Sequence, residues 1–158
     1  MPEPSPPISP AATSLGPAGF HHVGIVVASI ADTAEGFARS LGIDWNHEII
    51  HDPLQQARVT FLRSDRSNEP AIELVEPAGE GSPLLRFLAH GGGLHHVCYE
   101  VDNLRAQLQH SRAVGCLIVK QPLPAVAFGG RLIAWVYSPQ KLLVEYLERD
   151  SHSDREVG

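Results

Sequence analysis

The sequence predicts a single α+β domain built from two tandem βαβββ modules, and an internal repeat is the main reason. The segment Phe20-His-His-Val-Gly recurs as Leu94-His-His-Val-Cys, and the strand Ile72-Glu-Leu-Val recurs as Val144-Glu-Tyr-Leu. Two helix endings, 38–42 and 111–115, keep the same separation of 72 to 74 residues. One strand, one helix and a strand meander therefore occur twice in the same order.

The first module covers about residues 20–79. A strand is predicted over 20–27, where apolar and β-branched residues follow a His doublet. A helix follows from Ser29 to Leu41, with Ser29 or Asp32 available as its N-cap and Gly42 as its end. Two further strands are predicted, over 58–62 and 71–75, separated by a polar turn.

A short linking helix is predicted over about 82–90, and a run of three glycines ends it. The second module covers about 94–148 and repeats the order of the first. Its first strand is predicted over 94–101, and Asp102 is expected to cap a helix that runs to about Val114. The remaining strands are predicted over 117–120, 131–137 and 142–147.

Outside this domain, over 20–148, the two ends differ in composition. Residues 1–19 are rich in proline and predict a disordered leader, and residues 149–158 are charged and predict a flexible tail. The segment that opens the chain does not have the basic-then-apolar order of a signal peptide, and no run approaches the roughly 20 apolar residues needed to span a bilayer. We therefore expect a cytoplasmic protein with no membrane partner.

Composition excludes several classes of function. A net charge of −6, with basic residues scattered, argues against a general nucleic-acid binder, which would have to neutralise phosphates. Cys98 and Cys116 form no C-x-x-C motif, so free thiols are expected rather than a disulfide or a cysteine zinc site. Hydrophobic residues make up 43% of the 158, which is enough for one core.

Each module offers one histidine and one carboxylate at matched strand positions. Alternation places His22 and His96 on one face of their strands, and Glu73 and Glu145 lie between aliphatic neighbours in the closing strands. A carboxylate in such surroundings is costly to bury without a partner. If the modules pack about a pseudo-twofold axis, all four side chains can converge on one point.

Such a quartet suits a divalent metal ion. Two neutral imidazoles and two carboxylates balance a charge of +2, and the mixed nitrogen and oxygen set fits Co, Ni, Zn, Mn or Fe(II). In octahedral geometry it leaves two open positions, as a catalytic metal requires. By the same alternation, His21 and His95 are expected on the opposite face, as packing or surface residues. Cys98 is expected to be packing filler or to line the pocket.

The chain resembles the vicinal oxygen chelate superfamily, which includes glyoxalase I, extradiol dioxygenases and bleomycin-resistance proteins, and within it the methylmalonyl-CoA epimerases. The similarity covers about residues 20–148. It is carried by the Phe20-His-His-Val-Gly strand and by the segments 55–62, 72–77, 82–88, 93–102, 129–135 and 143–147. The Ser-Pro helix that runs into Gly-Leu-His-His is characteristic of the epimerase-like members.

The resemblance implies a glyoxalase-like fold around a metal cavity, with His22, Glu73, His96 and Glu145 as ligands, and a homodimer. It also implies proton abstraction next to a carbonyl, most simply in an acyl-thioester such as methylmalonyl-CoA, with Glu145 and Glu73 as the proton carriers. Val59 departs from the family, because some epimerases carry an acidic candidate base there. Some epimerases also carry Gln at the position of Glu73.

Several alternatives stay open. Glu100 and His51 are further candidates for a second proton carrier. A glyoxalase I-like lactoylglutathione lyase is favoured by the all-His/Glu quartet. An extradiol dioxygenase is disfavoured, since Glu73 would crowd an open metal position. A non-catalytic small-molecule binding or antibiotic-resistance protein has no need of four metal-type residues.

Overall fold

The structure, a computed structural model, describes residue 15 and residues 19–66 and 68–150. The predicted leader and tail lie almost entirely outside this range, so both stay predictions. The helices are α1 (Ile30–Leu41), α2 (Leu84–Ala89) and α3 (Leu104–Ala113). The strands are β1 (Gly19–Val26), β2 (Asp44–Trp45), β3 (Ile50–Asp52), β4 (Ala57–Arg63), β5 (Ala71–Pro77), β6 (Gly93–Val101), β7 (Leu117–Pro124), β8 (Leu132–Tyr137) and β9 (Leu143–Glu148). No described helix is long and apolar enough to cross a bilayer.

The predicted α+β order of two modules is confirmed, with three short additions. The strands β2 and β3 and a 3₁₀ turn at Val126–Phe128 were not predicted, since two or three residues are too few to show a period. Strand β7 also runs four residues beyond its predicted end, through Pro122 and Pro124. Both prolines are tolerated because β7 lies at the edge of the sheet, where an amide donor can be spared.

The two modules join in one mixed sheet. Its strand order is β2-β4-β5-β1-β6-β9-β8-β7, with β3 paired to β4. Each module pairs its first strand in parallel with its last, β1 with β5 and β6 with β9. The two first strands, β1 and β6, then pair antiparallel at the centre. The repeat therefore places β5, β1, β6 and β9 side by side.

The helix N-termini repeat the same design in both modules. Ser29 caps α1 as expected, whereas Asn103 rather than Asp102 caps α3, since the Asn103 side chain accepts from the amide of Ala106. Asp102 instead pairs with Arg149. A glutamate from the module's last strand also accepts from the first helical amide, with Glu76 bound to Ile30 and Glu148 to Leu104. A carboxylate there offsets the positive end of the helix dipole.

The helices α1 and α3 cover one face of the sheet, and alternation along the strands assigns the other face to a cavity. On β5, Leu74 is fully buried in the cluster beneath α1, which contributes about 1.5–3 kcal/mol. Its neighbours Glu73 and Val75 line the cavity instead. Leu104 and Leu108 of α3 pack in the same way against β8 and β9. The apolar core therefore covers one face of the sheet, and the opposite face lines the cavity.

Candidate metal centre

The four predicted ligands come from four neighbouring strands and converge. His22 lies on β1, Glu73 on β5, His96 on β6 and Glu145 on β9, and each is at most 5% exposed. One ligand atom from each lies within 4.8 Å of every other. The convergence follows from the order β5-β1-β6-β9, which places each histidine strand beside the carboxylate strand of its own module.

The ligand atoms face a common centre. The Nε2 atoms of His22 and His96 are 3.2 Å apart. Glu73 Oε2 lies 2.5 Å from His22 Nε2 and 3.9 Å from His96 Nε2. Glu145 Oε2 lies 3.4 Å from His96 Nε2 and 3.9 Å from His22 Nε2. Each carboxylate is thus close to both imidazoles, which is the arrangement of ligands around one small ion.

Gly24 makes this approach possible. It is the register partner of Glu73 on β5 and of His96 on β6. A Cβ atom at Gly24 would lie 1.9 Å from Cε1 of the His96 ring, far inside van der Waals contact. Its repeat counterpart is Cys98, a fully buried residue that is the register partner of His22 and Glu145. A small residue therefore stands two positions after each histidine of the quartet, Gly24 after His22 and Cys98 after His96.

The electrostatics of the centre couple His22 to Glu73. Burial alone would lower the pKa of His22, but the nearby carboxylates of Glu73 and Glu145 outweigh it, so this pKa is raised. Burial alone would raise the pKa of Glu73, but His22 and His96 reverse the effect and lower it. The free protein therefore favours a charged His22–Glu73 pair, and a cation that binds here replaces the imidazolium proton.

The residues fit a divalent cation. Glu145 Oε1 is buried without a hydrogen-bond partner, although a buried carboxylate oxygen normally has one. Two imidazoles and two carboxylates supply the charge and the mixed donors for an ion of charge +2. Cys98 adds no thiolate, because burial and the neighbouring carboxylates raise its pKa. It packs with Ala125 and Leu147 in an apolar cluster, in agreement with the expected role of filler.

The expectation for His21 and His95 was wrong. Nδ1 of His21 is 2.8 Å from Nδ1 of His22, and Nδ1 of His95 is 2.9 Å from Nδ1 of His96. Between β1 and β6 the register shifts once at each doublet, so that His21 and His95 are each the extra residue of a bulge. A bulge re-aims a side chain that strict alternation would place on the far face. Both rings stay mostly neutral near pH 7, because burial first and the adjacent histidine second lower each pKa to about 4.

These hydrogen bonds fix the orientation of the His22 and His96 rings. A metal-binding imidazole uses one nitrogen for the ion and donates the other N–H to a neighbouring acceptor. If Nδ1 of His22 and of His96 carries the hydrogen, the neutral doublet partner accepts it and each Nε2 lone pair faces the centre. The repeated doublet was visible in the sequence, but its role depends on the two bulges.

The quartet opens on a cavity of about 390 Å³. Glu73, His96 and Glu145 lie on its wall together with His95 and a largely apolar lining that includes Trp135. The lining also holds Val59, so no carboxylate stands at the position that is acidic in some epimerases.

Neither of the two further candidate proton carriers lines this cavity. His51 is exposed on β3, and Glu100 forms an ion pair of 2.9 Å with Arg131. Four polar lining residues had no role assigned from the sequence, namely Asp52, Gln55, Gln56 and Lys120. No local motif marks them, because they come from strand β3, the turn that follows it and the edge strand β7, with Gln55 and Lys120 65 residues apart.

Comparison with known proteins agrees with this geometry. The model of the Glyoxalase/Bleomycin resistance protein/Dioxygenase superfamily matches residues 21–135, which is most of the chain. The chain belongs to this superfamily. The match confirms the predicted family and its glyoxalase-like α+β fold, and the matched range includes His22, Glu73 and His96.

Several of the similar proteins within the superfamily are epimerases. The ethylmalonyl-CoA/methylmalonyl-CoA epimerase of Cereibacter sphaeroides is 28% identical over 75% of this chain and 87% of that protein. The mitochondrial methylmalonyl-CoA epimerase of Dictyostelium discoideum is 27% identical over 85% of this chain and 81% of that protein. The crystal structure of methylmalonyl-CoA epimerase from Mycobacterium tuberculosis matches with a TM-score of 0.71 and 26% identity, over 84% of this chain and 88% of that one.

Proposed function

We propose that the protein is a divalent-metal-dependent epimerase of an acyl-CoA thioester, with methylmalonyl-CoA as the first substrate to test. The observation that carries the proposal is the buried quartet His22, Glu73, His96 and Glu145 opening on a cavity. The similarity to methylmalonyl-CoA epimerases in two organisms supports the choice of substrate.

The quartet would hold the metal through Nε2 of the two histidines and one oxygen of each glutamate. When bound, the ion supplies Lewis-acid stabilisation for the negative charge that develops on the thioester oxygen as the α-proton leaves. Its identity among Co, Ni, Zn, Mn and Fe stays open, since the donor set fits all five.

The glutamates would move the proton. Glu145 lines the cavity, and its Oε1 has no hydrogen-bond partner while its Oε2 faces the histidines. Oε1 would therefore accept the α-proton. Glu73 lies on the other module's strand and also lines the cavity. It would take up a proton from solvent and pass it to the second side of the α-carbon, and Glu145 would then release the abstracted proton to solvent. Removal on one side and return on the other is what inverts a stereocentre.

Two features support this assignment over other acids of the cavity. Both oxygens of Asp52 already accept backbone amides, from Leu54, Gln55 and Val126. These bonds hold the Asp52 carboxylate against the backbone, whereas Oε1 of Glu145 has no hydrogen-bond partner to give up. A second feature concerns the cavity as a whole. Its mostly apolar wall limits water near the reacting carbon, and this strengthens the electrostatic interactions inside the cavity.

Deuterium exchange tests the proposal. The protein loaded with Co²⁺ is incubated with methylmalonyl-CoA in D₂O, and incorporation at the α-carbon is followed by NMR. We expect exchange that EDTA abolishes, and a loss of at least about 100-fold in Glu145→Gln, as for removal of a general base. Glu100→Gln, outside the cavity on β6, is the matched control and should keep wild-type exchange.

Two outcomes would refute parts of the proposal. If purified protein binds no divalent ion at micromolar concentration, the metal assignment fails. If metal is bound but no deuterium enters methylmalonyl-CoA or ethylmalonyl-CoA, the substrate assignment fails.

A glyoxalase I-like lyase is the second candidate, because Val59 on the cavity wall leaves the two ligand glutamates as the proton carriers. Its test is turnover of the hemithioacetal of methylglyoxal and glutathione by the same metal-loaded protein. The cytoplasmic location and the homodimer both stay predictions. Sedimentation of the purified protein tests the second of these.

A further inference from the structure

Lys120 contributes a cation to the cavity wall. Among the described residues that line the cavity, it is the only lysine or arginine, and it is half-buried on the edge strand β7. Its Nζ donates to Oε1 of Gln55 at 2.9 Å. An ammonium group has three donors, so this bond leaves two. Within the described part of the chain, no ion pair joins Lys120 to a carboxylate.

Gln55 adds a second unused donor beside it. Lysine can only donate, so the amide oxygen of Gln55 must face Nζ and the amide nitrogen must point away. That nitrogen, Nε2, is buried and has no hydrogen-bond partner. A buried NH₂ group without an acceptor is costly and calls for an explanation.

The acidic groups near this pair do not supply the missing acceptor. Asp52 lines the same cavity, but its Oδ1 accepts from Leu54 and Gln55 and its Oδ2 from Val126. The quartet glutamates are almost fully buried, whereas Lys120 and Gln55 are partly open to solvent. As whole residues, Lys120 and Gln55 therefore lie at a more accessible part of the cavity wall than the metal centre, although Nε2 of Gln55 is itself buried.

We propose that Lys120 Nζ and Gln55 Nε2 form a subsite for an oxyanion of the substrate, either a carboxylate on the acyl group or a phosphate of the coenzyme. The inference rests on the proposed acyl-CoA function for its choice of ligand. A charged donor and a neutral donor on two hydrogen-bonded side chains can each bind one oxygen of a carboxylate or of a phosphate.

Binding of three thioesters by calorimetry separates the two sources. Methylmalonyl-CoA carries both anions, propionyl-CoA lacks the acyl carboxylate, and methylmalonyl-pantetheine lacks the phosphates. If the subsite binds the carboxylate, Lys120→Met weakens binding of methylmalonyl-CoA and of methylmalonyl-pantetheine about tenfold and leaves binding of propionyl-CoA unchanged. If it takes a phosphate, the variant weakens binding of both coenzyme A thioesters and spares the pantetheine.

Gln55→Glu distinguishes a ligand-binding role from a structural one. A glutamate keeps the acceptor for Lys120, and thus the bridge between the turn and β7, but it replaces the NH₂ donor by a repelling oxygen. A purely structural bridge predicts unchanged binding and an equal or higher melting temperature. The subsite predicts the same ligand-specific loss as Lys120→Met, with the fold intact by circular dichroism.

The control is Lys141→Met, which removes the chain's only other lysine from an exposed position and should leave all three affinities unchanged. Wild-type affinities in both cavity variants, with wild-type protein binding the thioesters, overturn the subsite and leave the epimerase proposal standing. If wild-type protein binds no thioester, the epimerase proposal fails, and malonate and inorganic phosphate become the probes. Binding of either that Lys120→Met abolishes then supports the subsite, and no binding overturns it.

Discussion

Gly24→Ala should destroy the metal centre, although alanine is the smallest possible addition. The Gly24 backbone does not have a positive φ, so its conformation suits any residue. On that basis alone, alanine in place of glycine would stabilise the protein by about 0.4–1 kcal/mol through the unfolded state. A steric clash outweighs this gain, because the new Cβ would lie 1.9 Å from Cε1 of His96.

The size of the effect follows from that distance. Ordinary carbon contacts are near 3.5 Å, so the His96 ring must retreat by roughly 1.5 Å. Such overpacking costs about 1–3 kcal/mol of unfolding free energy. The same retreat removes Nε2 from the quartet. Loss of a residue that only hydrogen-bonds a metal ligand costs about 10–100-fold in metal affinity, so loss of a ligand itself should cost at least about 100-fold.

Two assays test this pair of expectations. Urea unfolding in EDTA measures the stability of the metal-free protein, and calorimetry with Zn²⁺ measures the affinity. Gly36→Ala is the control, because nothing lies within 4 Å of a Cβ there in the middle of α1. It should stabilise the protein by about 0.5–1 kcal/mol and leave metal affinity unchanged. Wild-type stability and wild-type Zn²⁺ affinity in Gly24→Ala would refute the steric argument.

Three further predictions concern the surroundings of the centre. His21→Ala and His95→Ala should each lower Zn²⁺ affinity about 10–100-fold in competition with a chelator, because the ligand Nδ1 loses its partner; unchanged affinity would contradict the orienting role. Cys98 should resist Ellman's reagent in the native protein while Cys116 reacts, since burial and carboxylates raise the pKa of Cys98; two fast native thiols would be inconsistent with this. Glu148→Gln should destabilise the protein by about 1 kcal/mol in urea unfolding, since the first turn of α3 loses a charged acceptor; a neutral result would mean that the cap contributes little.

Much of the centre could be predicted from sequence because a duplication constrains it. A lone strand histidine is weak evidence for a ligand, but His22 and His96 occupy the same place in two copies, each with a carboxylate in its last strand. Alternation then fixes the face, and the structure brings all four side chains within 4.8 Å of one another. The predicted cap at Asp102 failed for a local reason, since adjacent Asn103 offers an equally good acceptor one residue on.

The sequence by itself determined the two modules, the order of the main helices and strands, and the four residues of the quartet, because period and repetition are properties of the chain. Only the tertiary structure decided what lies around the quartet. Two bulges turn His21 and His95 toward the ligands, and the pairing of β1 with β6 places Gly24 beneath His96. The contact of Lys120 with Gln55 spans two distant segments. Such contacts depend on register and on the distance between strands, and no local pattern encodes either.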